Sequence, residues 1–299
     1  MSTVLTVKAY AKINLALDVI AKRPDGYHEV AMVMQTIDLA DSVRFKKQDG
    51  DITVTANILA LACDDSNLAY RAAALLKGIY GVEQGVHITL EKNIPMAAGL
   101  AGGSADAAAV LVGLNCLWEL GLSLDKLCDL GAALGSDVPF CLRGGTMLAE
   151  GRGEKLTALP LLPECFVVLA KPAVNVSTAW VYSNFRAGAA VDRPDIAAMI
   201  TCLEDSSLTG VADRLCNALE SVTIPEHPDI GKIKKYMCDY GAIGSLMSGS
   251  GPTVFGLTQQ ADEAEFIASK LRALTDAEII IAKTVSKVGD NVGTEIVAD

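Results

Sequence analysis

The sequence predicts an α+β protein organised as two domains. Three observations carry that expectation: apolar residues at strand period near the N-terminus, a glycine-rich loop that runs into a long alanine-rich helix, and a strand–helix–strand–strand–helix–strand order in the C-terminal part. The chain has 299 residues, room for two domains of about 150 residues each. Hydrophobic residues make up 51% and the mean hydropathy is +0.34, which supplies a sizeable core and excludes wholesale disorder.

From Ile13 to Val19 the apolar Ile13, Leu15, Leu17 and Val19 alternate with Asn14, Ala16 and Asp18, the pattern of a half-buried strand. A Pro24-Asp25-Gly26 turn leads into a second strand over about Tyr27–Ile37, followed by strand-like runs at Ser42–Phe45 and Asp51–Ala56. Ser66 is placed to cap a helix from Asn67 to about Lys77, and Val86–Glu91 reads as a strand. A long helix over about Ala105–Trp118 follows the glycine-rich loop, and Ser123 caps another that ends near Leu134. Around Gly151–Pro163 the pattern breaks into Gly, charge and Pro, which sets an expected boundary between domains 1–160 and 161–299. Beyond it come a strand at Phe166–Ala170, helices to about Asp239, strands Ile243–Met247 and Thr253–Leu257, helix Asp262–Leu274 and strand Glu278–Thr284. That is the split βαβ order of a ferredoxin-like domain with extra helices after its first strand. The last dozen residues are polar and expected to be loosely held.

Lys plus Arg number 25 against 36 Asp plus Glu, a net charge of -11. No broad basic face for nucleic acid or anionic membrane is expected, although a local loop can still bind a phosphorylated small molecule. The most apolar stretch, Ala107–Trp118 between Asp106 and Glu119, falls short of the ~20 residues a bilayer needs. No basic flank and apolar run of a secretory signal is visible. The 8 cysteines and 3 histidines share no ligand-type spacing, so reduced thiols in a cytoplasm are expected rather than disulfides or zinc.

The most informative stretch is I-P-M-A-A-G-L-A-G-G-S-A-D-A-A-A, Ile94–Ala109. Gly99, Gly102 and Gly103 let backbone approach a ligand closely, and the following helix aims free N–H groups and its positive dipole end at whatever lies in the loop. This suits phosphates. The stretch has neither the Lys of a P-loop nor the G-x-G-x-x-G spacing of a dinucleotide fold, and a plain turn into a buried helix accounts for the glycines equally well. Lys12 and Asn14 share a strand face with Lys8 and Tyr10, either a solvated face or a cation and an amide directed into a cleft. Asp137, in G-S-D-V-P-F, is either a helix cap or a base that accepts a hydroxyl proton. Tyr27 and His28 follow the Pro-Asp-Gly turn, where an aromatic beside a histidine can stack on and hydrogen-bond to a base. M-S-G-S-G-P-T, Met247–Thr253, joins two strands with more residues than a tight turn needs and reads as a floppy hairpin or a second anion nest.

In this order the motifs resemble the GHMP small-molecule kinases: A-K-I-N-L (Ala11–Leu15), P-M-A-A-G-L-A-G-G-S-A-D-A-A-A (Pro95–Ala109), G-S-D-V-P-F (Gly135–Phe140) and S-G-S-G-P-T (Ser248–Thr253). R-P-D-G-Y-H (Arg23–His28) is similar to the element that marks the branch acting on a cytidine diphosphate-linked methylerythritol in isoprenoid biosynthesis. The resemblance extends to about Lys287. It implies a ribosomal-protein-S5-domain-2-like β/α domain ahead of the ferredoxin-like one, with ATP and Mg²⁺ as cofactors and two small-molecule substrates, ATP and a cytidine diphosphate-linked methylerythritol. Asp137 would be the base and Lys12 the cation beside it, holding it ionised and stabilising the reacting groups. Pro95, Met96, Ala97, Ala98, Gly99, Leu100, Ala101, Gly102, Gly103, Ser104 and Ala105 would wrap the ATP phosphates, with Ser104 in reach of Mg²⁺. Asn67 and Lys92 match positions at the adenosine. Asn14, Tyr27 and His28 would hold the acceptor, and Thr178 and Tyr182 match a substrate-lining threonine and the aromatic on the other face of the cytosine. The rival readings are a GHMP kinase for homoserine, mevalonate or a sugar, a non-catalytic nucleotide-binding module, and a dinucleotide oxidoreductase. The last fails on glycine spacing.

Overall fold

A long hairpin forms the spine of the protein: β1 (Val4–Lys22) runs antiparallel to β2 (His28–Gln48). In the computed structural model, which describes residues 4–186, 188, 192–285 and 294–297, the runs expected at Tyr27–Ile37 and Ser42–Phe45 are one continuous strand. The pairing of β1 with β2 carries register shifts between Tyr10 and Lys12, between Asn14 and Ala16, and between Val19 and Ala21, and such bulges re-aim side chains. The turn is built locally. Arg23 N–H donates to the Tyr27 carbonyl (2.8 Å), Tyr27 N–H donates to Asp25 Oδ1 (3.1 Å), and Gly26 takes φ +88°.

Next come β3 (Ile52–Ala56), α1 (Leu68–Tyr80), β4 (Gly85–Glu91), α2 (Gly102–Leu117), α3 (Leu124–Leu134), α4 (Val138–Arg143), β5 (Thr146–Gly151) and β6 (Lys155–Ala158). The strands extend the sheet in the order β1-β2-β4-β3, with the β5–β6 hairpin also on β2. α1 is capped by Asn67, whose Oδ1 accepts from Ala69 N–H (2.8 Å); Ser66 instead bonds Asp64. α2 starts three residues earlier than expected, so Gly102, Gly103 and Ser104 form its first turn. Its alanines Ala105 and Ala107–Ala109 are buried, as are Val110–Leu114, and small side chains let this helix lie close against the hairpin. Gly113 is one such approach: a Cβ there would stand 2.4 Å from Phe45 Cε2.

The chain changes sheets between Ala158 and β7 (Phe166–Lys171). Then follow α5 (Thr178–Asn184), α6 (Ile196–Glu204), α7 (Leu208–Ala212), the two-residue β8 (Cys216–Asn217), α8 (Glu220–Glu226), α9 (Pro228–Asp239), β9 (Gly244–Met247), β10 (Val254–Thr258), α10 (Ala261–Leu274) and β11 (Glu278–Lys283). The second sheet has the antiparallel order β11-β7-β10-β9, that of a ferredoxin-like domain. The expected half-buried β1 is in fact buried on both faces: Asn14 and Ala16 are inaccessible, and β8 pairs with β1. On the same side Arg193 Nη2 donates to Asp18 Oδ2 at 2.8 Å. Within the last dozen residues, β12 (Thr294–Val297) pairs with Thr6–Ala9 of β1; the others lie outside the described residues.

Candidate active site

A cavity of about 1030 Å³ opens between the two sheets, bounded by β1, the β1–β2 turn, the loop before α2, the start of α4, α5 and the loop between β9 and β10. Every residue to which the resemblance assigns a role lines it except Leu100 and Ala105. Those two point into the core, 1% and 0% exposed, and contribute backbone instead: Leu100 O accepts from Lys12 N–H at 3.2 Å.

Gly99 takes φ +74°, and a Cβ on it would stand 2.2 Å from the Ser248 carbonyl oxygen, so only glycine fits. Ser248 Oγ donates to Gly99 O (3.0 Å), while Asn217 Nδ2 holds the Met247 and Gly249 carbonyls at 2.8 Å each. The M-S-G-S-G-P-T segment is therefore no floppy hairpin but a brace for the glycine-rich loop. Gly249 and Ser250 also line the cavity, and Ser250 Oγ lies 2.8 Å from Thr178 Oγ1.

Lys12 reaches the floor of the cavity from β1. Its ammonium donates to Asn14 Oδ1 (2.6 Å) and Gly99 O (3.0 Å), leaving the third of its N–H groups toward the cavity. Burial holds its pKa below the usual lysine value, opposed by the charge of Asp137. Asp137 stands at the N-cap position of α4 but makes no capping bond. Its backbone is already helical there (φ -83°, ψ -11°) instead of extended as a capping residue's is, and N2 of the helix is Pro139, which has no N–H to offer. Its carboxylate acts on Lys12 through space rather than as a direct ion pair among the described residues. Cys141, one turn on, is buried against both, and burial pushes its thiol up.

Under the loop lies a buried triad that sequence reasoning missed. Lys92 Nζ pairs with Asp41 Oδ2 and, at 2.5 Å, with Asp106 Oδ2. Asp41 Oδ1 also accepts the N–H groups of Asn93 (2.6 Å) and Ile94 (2.8 Å), which fixes the chain where the loop begins. Burial and the Asp41 charge raise the Asp106 pKa against the pull of Lys92, and Asp106 Oδ1 has no partner. Of the three, the resemblance assigns a role only to Lys92; Asp41 reaches it from β2, 51 residues away, and Asp106 from α2, inside the loop motif but given no role there.

At the other end, the His28 and Tyr182 rings lie 5.2 Å apart, tilted by 36°. Burial first and Lys22 second push the His28 imidazole below its ordinary value. Tyr27, half exposed, carries the Arg152 guanidinium over its ring at 4.9 Å. Asn67 lines the cavity with its amide already engaged, Nδ2 donating to Ala62 O at 2.6 Å. No group of three or more His, Cys, Asp or Glu side chains among the described residues could hold a metal, and no helix among them is long and apolar enough to cross a membrane.

A glycine-rich loop at a helix N-terminus, braced by a ferredoxin-like domain, is the arrangement of a GHMP kinase, and the family models agree: GHMP kinases N terminal domain matches residues 67–145 and GHMP kinases C terminal matches 189–276. A 4-diphosphocytidyl-2-C-methyl-D-erythritol kinase of Exiguobacterium sibiricum is 51% identical over 278 residues, 93% of this chain and 97% of that one. The protein of that name from Bacillus subtilis is 51% identical over 270 residues, 90% and 93% of the two chains. A crystal structure of 4-(cytidine 5'-diphospho)-2C-methyl-D-erythritol kinase superposes with TM-score 0.78 at 35% identity, covering 93% of this chain and 98% of that one. Homoserine kinase from Cytophaga hutchinsonii shares the fold, TM-score 0.78 at 20% identity over 99% and 98% of the two chains. The chain belongs to the 4-diphosphocytidyl-2-C-methyl-D-erythritol kinase family.

Proposed function

We propose that the protein transfers the γ-phosphoryl group of ATP to the 2-hydroxyl of 4-diphosphocytidyl-2-C-methyl-D-erythritol, giving the 2-phosphate and ADP, in the methylerythritol phosphate route to isopentenyl diphosphate. The carrying observation is the Asp137 carboxylate, which makes no capping bond, within the electrostatic reach of the Lys12 ammonium in one cavity. The loop and the head of α2 stand on one side of these two groups, and Tyr27, His28 and Tyr182 on the other.

Asp137 takes the hydroxyl proton as the acceptor oxygen attacks in line, and the bond from the γ-phosphorus to the ADP oxygen breaks. A tertiary alcohol ionises far above neutrality, so such a base is worth about 10²–10⁴ in rate. The remaining N–H of Lys12 steadies the developing alkoxide and the phosphoryl oxygens. Phosphoryl transfer depends on positioning and charge neutralisation more than on covalent chemistry, and the loop backbone with the α2 dipole supplies part of that charge at the phosphates. Asn67 and Lys92 flank the adenosine. Tyr27 and Tyr182 face the cytosine, His28 meets its hydrogen-bonding edge, and Asn14 and Thr178 line the path between.

Mg²⁺ bound with ATP neutralises phosphate charge. The residues present fit it: the Ser104 hydroxyl and the unpartnered Asp106 Oδ1 at the head of α2 are oxygen donors of the kind Mg²⁺ takes. With no three-carboxylate cluster among the described residues, the nucleotide phosphates would hold most of the ion's coordination shell. A net charge of -11 and free thiols at all eight cysteines support a cytoplasmic enzyme with no nucleic-acid partner, and the sheet change after Ala158 supports domains at 1–160 and 161–299.

ADP release measured with ATP, Mg²⁺ and a panel of acceptors tests the reading. Turnover that requires the cytidylyl acceptor supports it; turnover with homoserine or mevalonate instead would overturn it.

A further inference from the structure

Four cations line the cavity: Lys12, Lys22, Lys92 and Arg152. Lys12 is bonded to Asn14 and Gly99 at the reacting end, and Lys92 is locked between Asp41 and Asp106. Arg152 stands apart from both. It occupies the tip of the β5–β6 hairpin between Gly151 (φ +72°) and Gly153 (φ +110°), its side chain 27% exposed. Its Nε is 3.9 Å from Glu154 Oε2, a loose pair, because that carboxylate is spent on the Arg152 backbone N–H at 2.6 Å. Asp25, the other acidic group that senses it, is already paired with Arg23 at 3.1 Å.

The guanidinium lies over the Tyr27 ring. A guanidinium held over an aromatic face by its cationic carbon still has N–H donors free, and these can take a phosphate bidentately. An acceptor with its pyrimidine on Tyr27 and its hydroxyl at Lys12 and Asp137 carries its diphosphate between those two ends. We propose that Arg152 grips that diphosphate and is a specificity residue of this kinase for a nucleoside-diphosphate acceptor, with the Tyr27 stack aiming its fork. The inference rests on the cytidylyl reading above. It also supplies a physical reason for discriminating against acceptors such as homoserine and mevalonate, which have no diphosphate to grip.

The test is a calorimetric titration of cytidine, CMP and CDP into the full chain saturated with a non-hydrolysable ATP analogue, for wild type, Arg152→Ala and Arg152→Lys, with thermal melting to verify folding. Charge-assisted bonds to phosphate predict that wild type binds CDP about tenfold or more tighter than cytidine. Arg152→Ala should bring the two within about twofold while cytidine affinity stays unchanged, and Arg152→Lys, which keeps the charge without the fork, should fall between. A variant that retains the wild-type preference for CDP would overturn the proposal. So would equal losses for cytidine and CDP, which would confine Arg152 to steadying Tyr27, or a wild type with no preference for CDP. Wild-type turnover of the cytidylyl acceptor is measured on the same preparation. Its absence beside an intact, Arg152-dependent CDP preference would overturn the substrate reading and leave the role of Arg152 standing.

Discussion

Replacing Gly99 by alanine tests the contact on which the glycine-rich loop rests. The added Cβ would stand 2.2 Å from the Ser248 carbonyl oxygen and 3.0 Å from that of Gly251, at a backbone φ of +74°. The left-handed conformation alone costs an alanine about 1–2 kcal/mol. The opposing oxygen is backbone, in a segment clamped by Asn217, so it cannot swing aside, and overpacking of this kind adds about 1–3 kcal/mol. The expected loss is about 2–5 kcal/mol. Movement of the loop also pulls Gly99 O from Lys12 Nζ, now 3.0 Å away, so kcat should fall with stability. Gly103→Ala is the internal comparison. Its Cβ would meet only Leu68 Cδ1 at 3.7 Å, and alanine inside a helix gains about 0.5–1 kcal/mol over glycine. Urea unfolding of both variants, with ATP titration of each, reads the outcome. The reasoning is refuted if Gly99→Ala unfolds within about 0.5 kcal/mol of wild type, or if Gly103→Ala loses as much stability as Gly99→Ala.

Two further outcomes follow from the charged groups. Lys92→Met leaves Asp41 and Asp106 buried against each other and should destabilise by about 3–5 kcal/mol. Part of that loss should be recovered at acid pH, because the raised Asp106 pKa lets its carboxyl take a proton as pH falls; a loss under about 1 kcal/mol in urea unfolding would contradict the triad's role. For Lys12, the charged form is present below its folded pKa and lost as pH rises through it. Burial sets that pKa below the ordinary 10.5, so the alkaline limb of kcat/KM should fall below pH 10.5 and move upward in Lys12→Arg. A limb unmoved by the substitution would take Lys12 out of the reaction.

Much of this was legible in the chain itself. The period-2 run at Ile13–Val19, the glycines before an alanine-rich helix and the C-terminal element order lead directly to the two sheets, because each records a packing period. The limits are equally physical. The polar face of β1 reads as half-exposed, yet it is buried, since the domain that covers it through β8 arrives some two hundred residues later. Asp137 reads as a possible cap, but its backbone is helical rather than extended and Pro139 occupies N2, so no capping bond forms. Leu100 and Ala105 sit inside the loop motif but face the core, a distinction that the direction of each Cβ makes and a contiguous motif hides. Asp41 lies in unremarkable sequence and Asp106 just behind the glycines of the loop motif, and both gain their meaning only where the fold brings them to Lys92. Arg152 falls at the start of the Gly151–Pro163 break, where the sequence shows only a change of pattern; the fold makes its first residues a hairpin tip that brings the side chain to Tyr27.

Asp137→Asn carries the central claim, because the substitution removes the proposed base while keeping shape and leaves the loop untouched. The measurement is single-turnover ADP formation with ATP, Mg²⁺ and 4-diphosphocytidyl-2-C-methyl-D-erythritol, beside a calorimetric titration of the nucleotide. The account predicts ATP affinity within about twofold of wild type and a chemical step slowed by about 10²–10⁴. A step at the wild-type rate would remove Asp137 from the mechanism, and a variant that lost ATP binding to the same degree would place the residue in nucleotide binding instead.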